Sequence, residues 1–582
     1  MGPRVNEAAP ASRSLFLLAL LAIAVYANTL GADFTLDDEP DIVANPVVTA
    51  RPFDLVGIFA TAVPPGDLYR PVAVLSYALN YYLTPGDPLA FHAVNVVLHA
   101  GVTALVFLLA RTLFASARVA VIAAVLFAVH PVHTEAVTNL VGRAELLAAL
   151  FGLLSLLSAV HIDGAGSRIQ SALAHACSVL CFSLALLSKE SALTVLPLIV
   201  LLRVTVHHDG LLRGGWRELH SLVWVPYALC AAVILVLRWY VVSPRTVNAL
   251  DNVLAFVPWP VRVRSAIAVL WDYFGILNVP LVLAADYSYA QVPPVGTWLN
   301  GRFLAGAGLL LAAALVAVRN RRPAVTFVVV FPLVALSVTA NILFPIGTVK
   351  ADRLLYLPSV GWVLLIAYGF DRLLEIKRYQ HVAHVVLAAV VAAYAARAWT
   401  RNWDWKDRPT LYRSLVLSAP NSAKARYDYG VSLQRTGQDT AAAVQFQRAL
   451  EIFPYTGGEG SPLALGVLAE KRGDTAAALG WYKKALELEP GFDKANNNLC
   501  RLLLILGRFE ESAHACREGL RYKPADTNMM KALGESFIAT QQTAKGIAVL
   551  QRALVLSPED DALRRRLDEL SGELHAEATD GR

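Results

Sequence analysis

From Ser14 to about Ala398 the chain is a succession of long apolar runs separated by short polar stretches. A helix needs about 20 apolar residues to cross the hydrocarbon core. On that ruler eleven spans are expected, starting near Ser14, His92, Val119, Ala144, Ser171, Ser191, Ser221, Asn300, Pro323, Leu354 and His381. Those from Val119 and Ser191 are short. From Asn421 onward the pattern changes to apolar positions at helical spacing among charged ones. Pro420, Pro454, Pro490, Pro524 and Pro558 follow one another at 34, 36, 34 and 34 residues. The last four each close a helix-like segment with a small residue near its end: Ala449, Ala485, Gly519 and Ala553. That period with a terminal Pro is the tetratricopeptide (TPR) pattern. Gly430, Gly466, Cys500 and Gly534 take its second small position, and Phe446, Tyr482, Cys516 and Leu550 its packing position. The expectation is an all-α chain: a polytopic membrane domain over 1–400, a linker over 401–419 and a TPR α-solenoid over 420–582. The solenoid would hold four repeats and a capping helix from Leu554 to His575.

Composition agrees with this division. With 56% hydrophobic residues, 16% charged and a mean hydropathy of +0.49, most of the chain belongs in lipid. The net charge of +6 is modest and gathers at the ends of apolar segments, so it reports topology and no nucleic-acid partner is expected. Arg4 and Arg13 before the run Leu15 to Leu30 fit a signal peptide, but Gly31-Ala-Asp-Phe34 offers no small-residue cleavage site. A retained first helix is expected. With the N-terminus inside, the inner loops 1–13, 111–118, 162–170, 203–218, 319–322 and 371–380 carry 14 Lys and Arg in 60 residues, against 9 in 142 outside. The positive-inside rule then places the long segments 31–91 and 243–299 outside, and an odd span number sends the TPRs there too. That side is periplasmic in a bacterium and luminal in a eukaryote. The apolar stretch 265–283 reads as an interfacial or re-entrant helix, because a crossing would move Arg319, Arg321 and Arg322 outside. Cys177, Cys181 and Cys230 read as packing residues, whereas Cys500 and Cys516 fit either a disulfide or two buried thiols.

Ionisable residues near a bilayer are costly and mark functional candidates; here they gather on the outer side. Asp33-Phe-Thr-Leu-Asp37-Asp38 follows the first span, and the adjacent carboxylates suit a general base with an orienting partner, or a solvated loop. His92, Asn95 and His99 share a helix face, which suits interhelical hydrogen bonding as well as a site. His130, His133 and Glu135 hint at a metal, but Pro131 breaks the spacing and a fourth ligand is lacking, so none is expected. Lys189-Glu190 and Lys350-Ala-Asp352-Arg353 put cations at outer helix ends, where they would hold a lipid-linked phosphate or anchor the helix to headgroups. No Walker loop, GxSxG elbow, HExxH or dinucleotide fingerprint stands in a credible setting.

The motifs Asp33-Phe-Thr-Leu-Asp37-Asp38, Tyr69-Arg70-Pro-Val, Phe91-His92-Ala-Val-Asn95 and His130-Pro-Val-His133-Thr-Glu135-Ala-Val resemble those of the transmembrane-and-TPR O-mannosyltransferases, the TMTC family. So do Gly142-Arg143-Ala-Glu145-Leu-Leu, Ser188-Lys189-Glu190 and Asp352-Arg353-Leu-Leu-Tyr356-Leu-Pro-Ser. The resemblance implies a GT-C-type membrane glycosyltransferase that takes mannose or a similar sugar from a polyprenyl phosphate, with no cofactor required. It implies that Asp37 or Asp38 deprotonates a Ser or Thr hydroxyl of a protein or peptide acceptor in an inverting transfer. Arg353, Lys189 and Arg143 would then meet the departing phosphate. Arg70, His92, His133, Glu135, Glu190, Asp352 and Tyr356 would complete the substrate site, and the TPRs would recruit the acceptor. Four repeats are fewer than animal members usually carry, and the Ala- and Arg-rich, Met-poor composition points to a bacterial relative. Two other readings compete: a membrane scaffold that recruits partners through its TPRs, and a transporter of lipid-linked sugars. The clustered outer charges disfavour the first. The lack of clear inverted repeats disfavours the second.

Overall fold

A computed structural model of the chain describes residues 8–63, 68–164, 167–207, 222–242, 247–320 and 322–580. The expected inner positions Arg4, Arg213, Arg217 and Arg321 lie outside the described residues. Among those described there is no β-strand, only an isolated bridge between Val63 and Leu68. The helices form two compact units, Met1–Pro420 and Asn421–Arg582.

In the first unit every expected span start among the described residues falls at or beside a helix; Ser221 lies outside them. The helices at these positions are Ala8–Tyr26, Pro88–Phe114, Ala117–Val129, Arg143–Gly164, Arg168–Ser188, Val195–Leu202, Val225–Val241, Gly301–Arg319, Pro323–Leu336, Pro358–Glu375 and Lys377–Trp403. Length and composition support fewer crossings than the apolar runs suggest. Among the described residues seven helices are long and apolar enough to cross, and eight if the pair bent by 49° at Pro131 counts as one span. The 8 residues of Val195–Leu202 and 14 of Pro323–Leu336 rise only about 12 and 21 Å. Pro358–Glu375 ends in Asp371, Arg372 and Glu375. The helix at the expected interfacial stretch runs from Trp259 to Asn278 and carries Arg262, Arg264 and Asp272, which keeps it out of the crossing class.

Local chemistry sets the helix ends. Asp87 accepts from the Leu89 N–H, Ser116 from Val119, Ser167 from Gln170, and Asn300 from Arg302 and Phe303. Each cap satisfies a first-turn donor that has no partner inside its helix. Residues 401–419, expected to link the domains, are packed structure. The last helix continues to Trp403, a further helix spans Arg408–Ser418, and Arg401, Trp405, Leu411 and Leu415 are buried.

The second unit is four helix pairs. They are Ala423–Arg435 with Asp439–Ile452, Gly460–Lys471 with Thr475–Leu488, Asp493–Ile505 with Phe509–Tyr522, and Thr527–Ala539 with Thr543–Leu556. A final helix begins at Asp561. The small and large positions read from the sequence meet in space. A Cβ on Gly430, Gly466 or Gly534 would sit 2.6, 2.5 and 2.5 Å from Phe446, Tyr482 and Leu550 respectively. In the third repeat the equivalent pair, Cys500 and Cys516, is joined as a disulfide. A covalent bond thus stands where the other repeats use close packing. Gly466→Ala is expected to destabilise this unit by about 1–3 kcal/mol through overpacking against the buried Tyr482 ring. A lowered urea midpoint for the full chain in detergent, followed by circular dichroism, checks this.

Candidate active site

The acid loop leaves the first helix through a turn at Ala27–Gly31 and bends at Leu36, whose φ is +45°. A β-carbon disfavours that conformation, and the two carboxylates that follow it lie in different surroundings. Asp38 is fully buried and accepts the Thr35 N–H at 2.8 Å and the Val141 N–H at 3.1 Å. Asp37 is exposed. Burial pushes the Asp38 carboxyl up to about 8, against the pull of those two hydrogen bonds and with a smaller push from Asp37 and Asp41. The folded chain keeps this proton to about pH 8, whereas an unfolded one releases it near 3.8. Between those values the native state binds more protons, so its stability falls as pH rises. Thermal melting in detergent should therefore show a lower Tm at pH 8 than at pH 5, and Asp38→Asn should flatten that slope.

Opposite the loop, four cations meet three glutamates. The Arg353 N–H donates to Glu135 Oε2 at 2.8 Å, and its guanidinium pairs with Glu135 Oε1. Glu135 is 2% exposed at its side chain and Arg353 33%, so the pair keeps one face open. Lys189 pairs with Glu145, both nearly buried. Arg70 donates twice to Glu190 Oε2, at 3.1 and 3.0 Å, while Arg238 reaches Glu190 Oε1 at 2.7 Å. These groups feel one another. Against the pull of burial, Glu135 and then Asp37 raise the Arg353 guanidinium above its ordinary range. Burial lowers the Lys189 ammonium, and Arg70 and Arg353 press the same way against Glu145. Against the push of burial, Arg70 and Arg238 hold Glu190 below the usual carboxylate range. Asp37, Arg353, Lys189, Arg70 and Glu190 therefore form one electrostatic group drawn from four separate stretches of chain.

Other expected site residues do not join it. Arg143 is fully buried and donates to Asn95 Oδ1 at 2.8 Å, the Phe91 carbonyl at 2.9 Å, Asn80 Oδ1 at 3.1 Å and the Ser76 carbonyl at 3.2 Å. With Tyr77 and Phe91 beneath its guanidinium, it fastens the helix Pro71–Leu83 to Pro88–Phe114 and has no face left for a phosphate. His133 is bonded through Nε2 to Ser359 at 2.8 Å and through Nδ1 to the Phe127 carbonyl at 2.9 Å. Tyr356 is bonded to His99 at 2.8 Å, and both belong to a buried aromatic knot with Phe127. His92 is buried, its ring beside the backbone of Ala32 and Asp33. Asp352 is buried too; it accepts from Tyr287 at 2.9 Å and is pushed up to about 7, first by burial and then by Glu135. Among the described residues no group of three or more His, Cys, Asp or Glu is arranged to hold a metal.

Two participants escaped the sequence reading. Arg238 is the lone cation in the apolar run Val225–Val241, and a charge inside a span is a functional signal by default. Tyr287 is the other, and nothing local in the sequence points to its bond with Asp352.

A tetratricopeptide repeat family model matches residues 498–561. The human protein O-mannosyl-transferase TMTC3 is 29% identical over 473 residues, which cover 76% of this chain and 52% of the relative. Human TMTC4 is 30% identical over 483 residues, 72% of this chain and 64% of the relative. The Caenorhabditis elegans protein O-mannosyl-transferase F38B6.6 is 29% identical over 467 residues, 78% and 64%. This chain belongs to the TMTC family. It spans about half to two thirds of the length of those TMTC relatives. Among solved structures, ArnT from Cupriavidus metallidurans bound to undecaprenyl phosphate overlaps 80% of this chain and 79% of its own at 16% identity, with a TM-score of 0.39. That likeness is too loose to build on.

Proposed function

We propose that this chain moves a mannosyl or similar glycosyl group from a polyprenyl phosphate to a Ser or Thr hydroxyl of a protein, on the extracytoplasmic side of the membrane. The observation that supports it best is the exposed Asp37 within the electrostatic reach of Arg353, with Lys189 and Arg70 in the same group. In this reading Asp37 takes the acceptor proton as the hydroxyl oxygen bonds to the anomeric carbon. The bond from that carbon to the phosphate oxygen breaks on the opposite face, so configuration inverts. The polyprenyl phosphate leaves as an anion, and Arg353, Lys189 and Arg70 offset its growing charge. Because that leaving group is good, positioning and charge stabilisation carry most of the barrier reduction, and the chemistry asks for no cofactor. Asp38, buried and neutral near pH 7, holds the loop instead of acting as base. The TPR unit recruits the protein acceptor.

Turnover of radiolabelled polyprenyl-phosphate mannose by the purified chain in lipid tests the reading. Label passing to a protein or peptide hydroxyl supports it. Absence of donor consumption with mannose and with a panel of other lipid-phosphate sugars would sink it and favour the scaffold.

A further inference from the structure

The acid loop is fastened at both ends by one short stretch of chain far away in sequence. Asn28 donates to the Trp399 carbonyl at 2.9 Å, and Asn402 donates to the Val25 carbonyl at 3.0 Å and to Asn28 Oδ1 at 2.9 Å. The Asp33 N–H donates to the Lys406 carbonyl at 2.9 Å. Beyond Asp38, Glu39 pairs with Arg408. Asp37 therefore lies between two anchor points, Asp33 and Glu39, both held by residues 406–408. The same stretch reaches the cation side. Thr138 donates to Asn402 Oδ1 at 3.4 Å, and Thr138 closes the short helix Thr134–Thr138 whose Glu135 grips Arg353. Asn402 is 2% exposed, so its amide joins the two halves away from competing water.

We infer that Asn402 and Arg408 are positioning residues, a brace that sets the separation between Asp37 and the Glu135–Arg353 pair. The inference rests on the transferase reading above. A base must meet its proton within hydrogen-bond reach, and a misplacement of about 1 Å costs on the order of 100-fold in rate. Neither residue needs to touch substrate, so the effect belongs in kcat and not in donor KM.

The test uses the full chain in lipid, with Arg408→Glu, Glu39→Arg and the double exchange. The Glu39–Arg408 pair is partly exposed, 54% and 26% at its side chains, so these variants should fold. Arg408→Glu is expected to lower kcat about tenfold with donor KM within about twofold, and the exchange to recover it to within about threefold. Asn402→Asp, which loses both donated bonds, should fall further, with thermal melting run alongside to separate misfolding from misplacement. Hydrogen exchange supplies a readout independent of activity: amides of 33–41 should exchange faster in Arg408→Glu and return to wild-type rates in the exchange variant. A single variant at the wild-type rate, or a double variant no better than its singles, would overturn the brace. If the wild type consumes no lipid-linked sugar, the transferase reading fails by itself. Unchanged exchange at 33–41 in Arg408→Glu would then remove the brace as well.

Discussion

Asp37→Asn is expected to cut turnover of the lipid-linked sugar by about 10³-fold while leaving donor KM nearly unchanged. General-base assistance is worth roughly 10²–10⁴-fold, and an amide of equal shape cannot take the acceptor proton. The substitution is mild for the fold, because Asp37 is exposed and its neighbour Asp38 carries the loop's buried hydrogen bonds. A loss confined to kcat is the mark of an interaction made in the transition state. Asp38→Asn should behave differently. It leaves one of two buried N–H donors facing an amide nitrogen, so lower stability and partial activity are expected together. Side-by-side steady-state kinetics and thermal melting of the two variants check the distinction. Equal losses of activity and stability in both would mean that the acid loop is only a structural element.

Adjacent aspartates with opposite fates mark where sequence reasoning stops. The repeats were legible because their signal is periodic: the prolines recur, and the pairs Gly430–Phe446 and Gly466–Tyr482 repeat at one spacing. The membrane helices were legible because lipid demands apolar runs, though an apolar run does not reveal where a helix breaks, as at Pro131. Asp37 is exposed while Asp38 is held by the N–H groups of Thr35 and Val141, the latter about a hundred positions away, and no composition rule reports that. Arg143 has the motif and charge of a phosphate ligand. Its partners lie 48–67 residues away, at Ser76, Asn80, Phe91 and Asn95, so only the fold shows that the guanidinium is already spent. Arg353 and Lys189 are conspicuous in the sequence because a charge at a helix end stands out locally. Arg238 was missed because its apolar surroundings made it look like part of a span. Residues 401–419 read as a linker for a similar reason: their importance lies in bonds to chain nearly four hundred positions earlier.

The second large effect separates what Arg353 does for the fold from what it does for the chemistry. Arg353→Ala leaves Glu135, 2% exposed, without its countercharge, and breaking a buried pair on one side costs about 3–5 kcal/mol. Much of that is the penalty of an uncompensated carboxylate, not the worth of the pair. Adding Glu135→Gln removes the stranded charge while its amide oxygen still accepts the residue 353 N–H. The double variant should therefore regain most of the stability that the single variant loses. Turnover should not return with it. Loss of the guanidinium removes a cation from the departing phosphate, and one such electrostatic contact is worth about 10²–10³-fold in kcat. Glu135→Gln by itself keeps the cation and should retain much more activity than either variant lacking Arg353. Melting temperatures and kcat for all four chains complete the cycle. Stability and turnover that recover together in the double variant would make Arg353 a partner of Glu135 and nothing more. Stability that recovers without turnover would leave its guanidinium as the group facing the leaving phosphate.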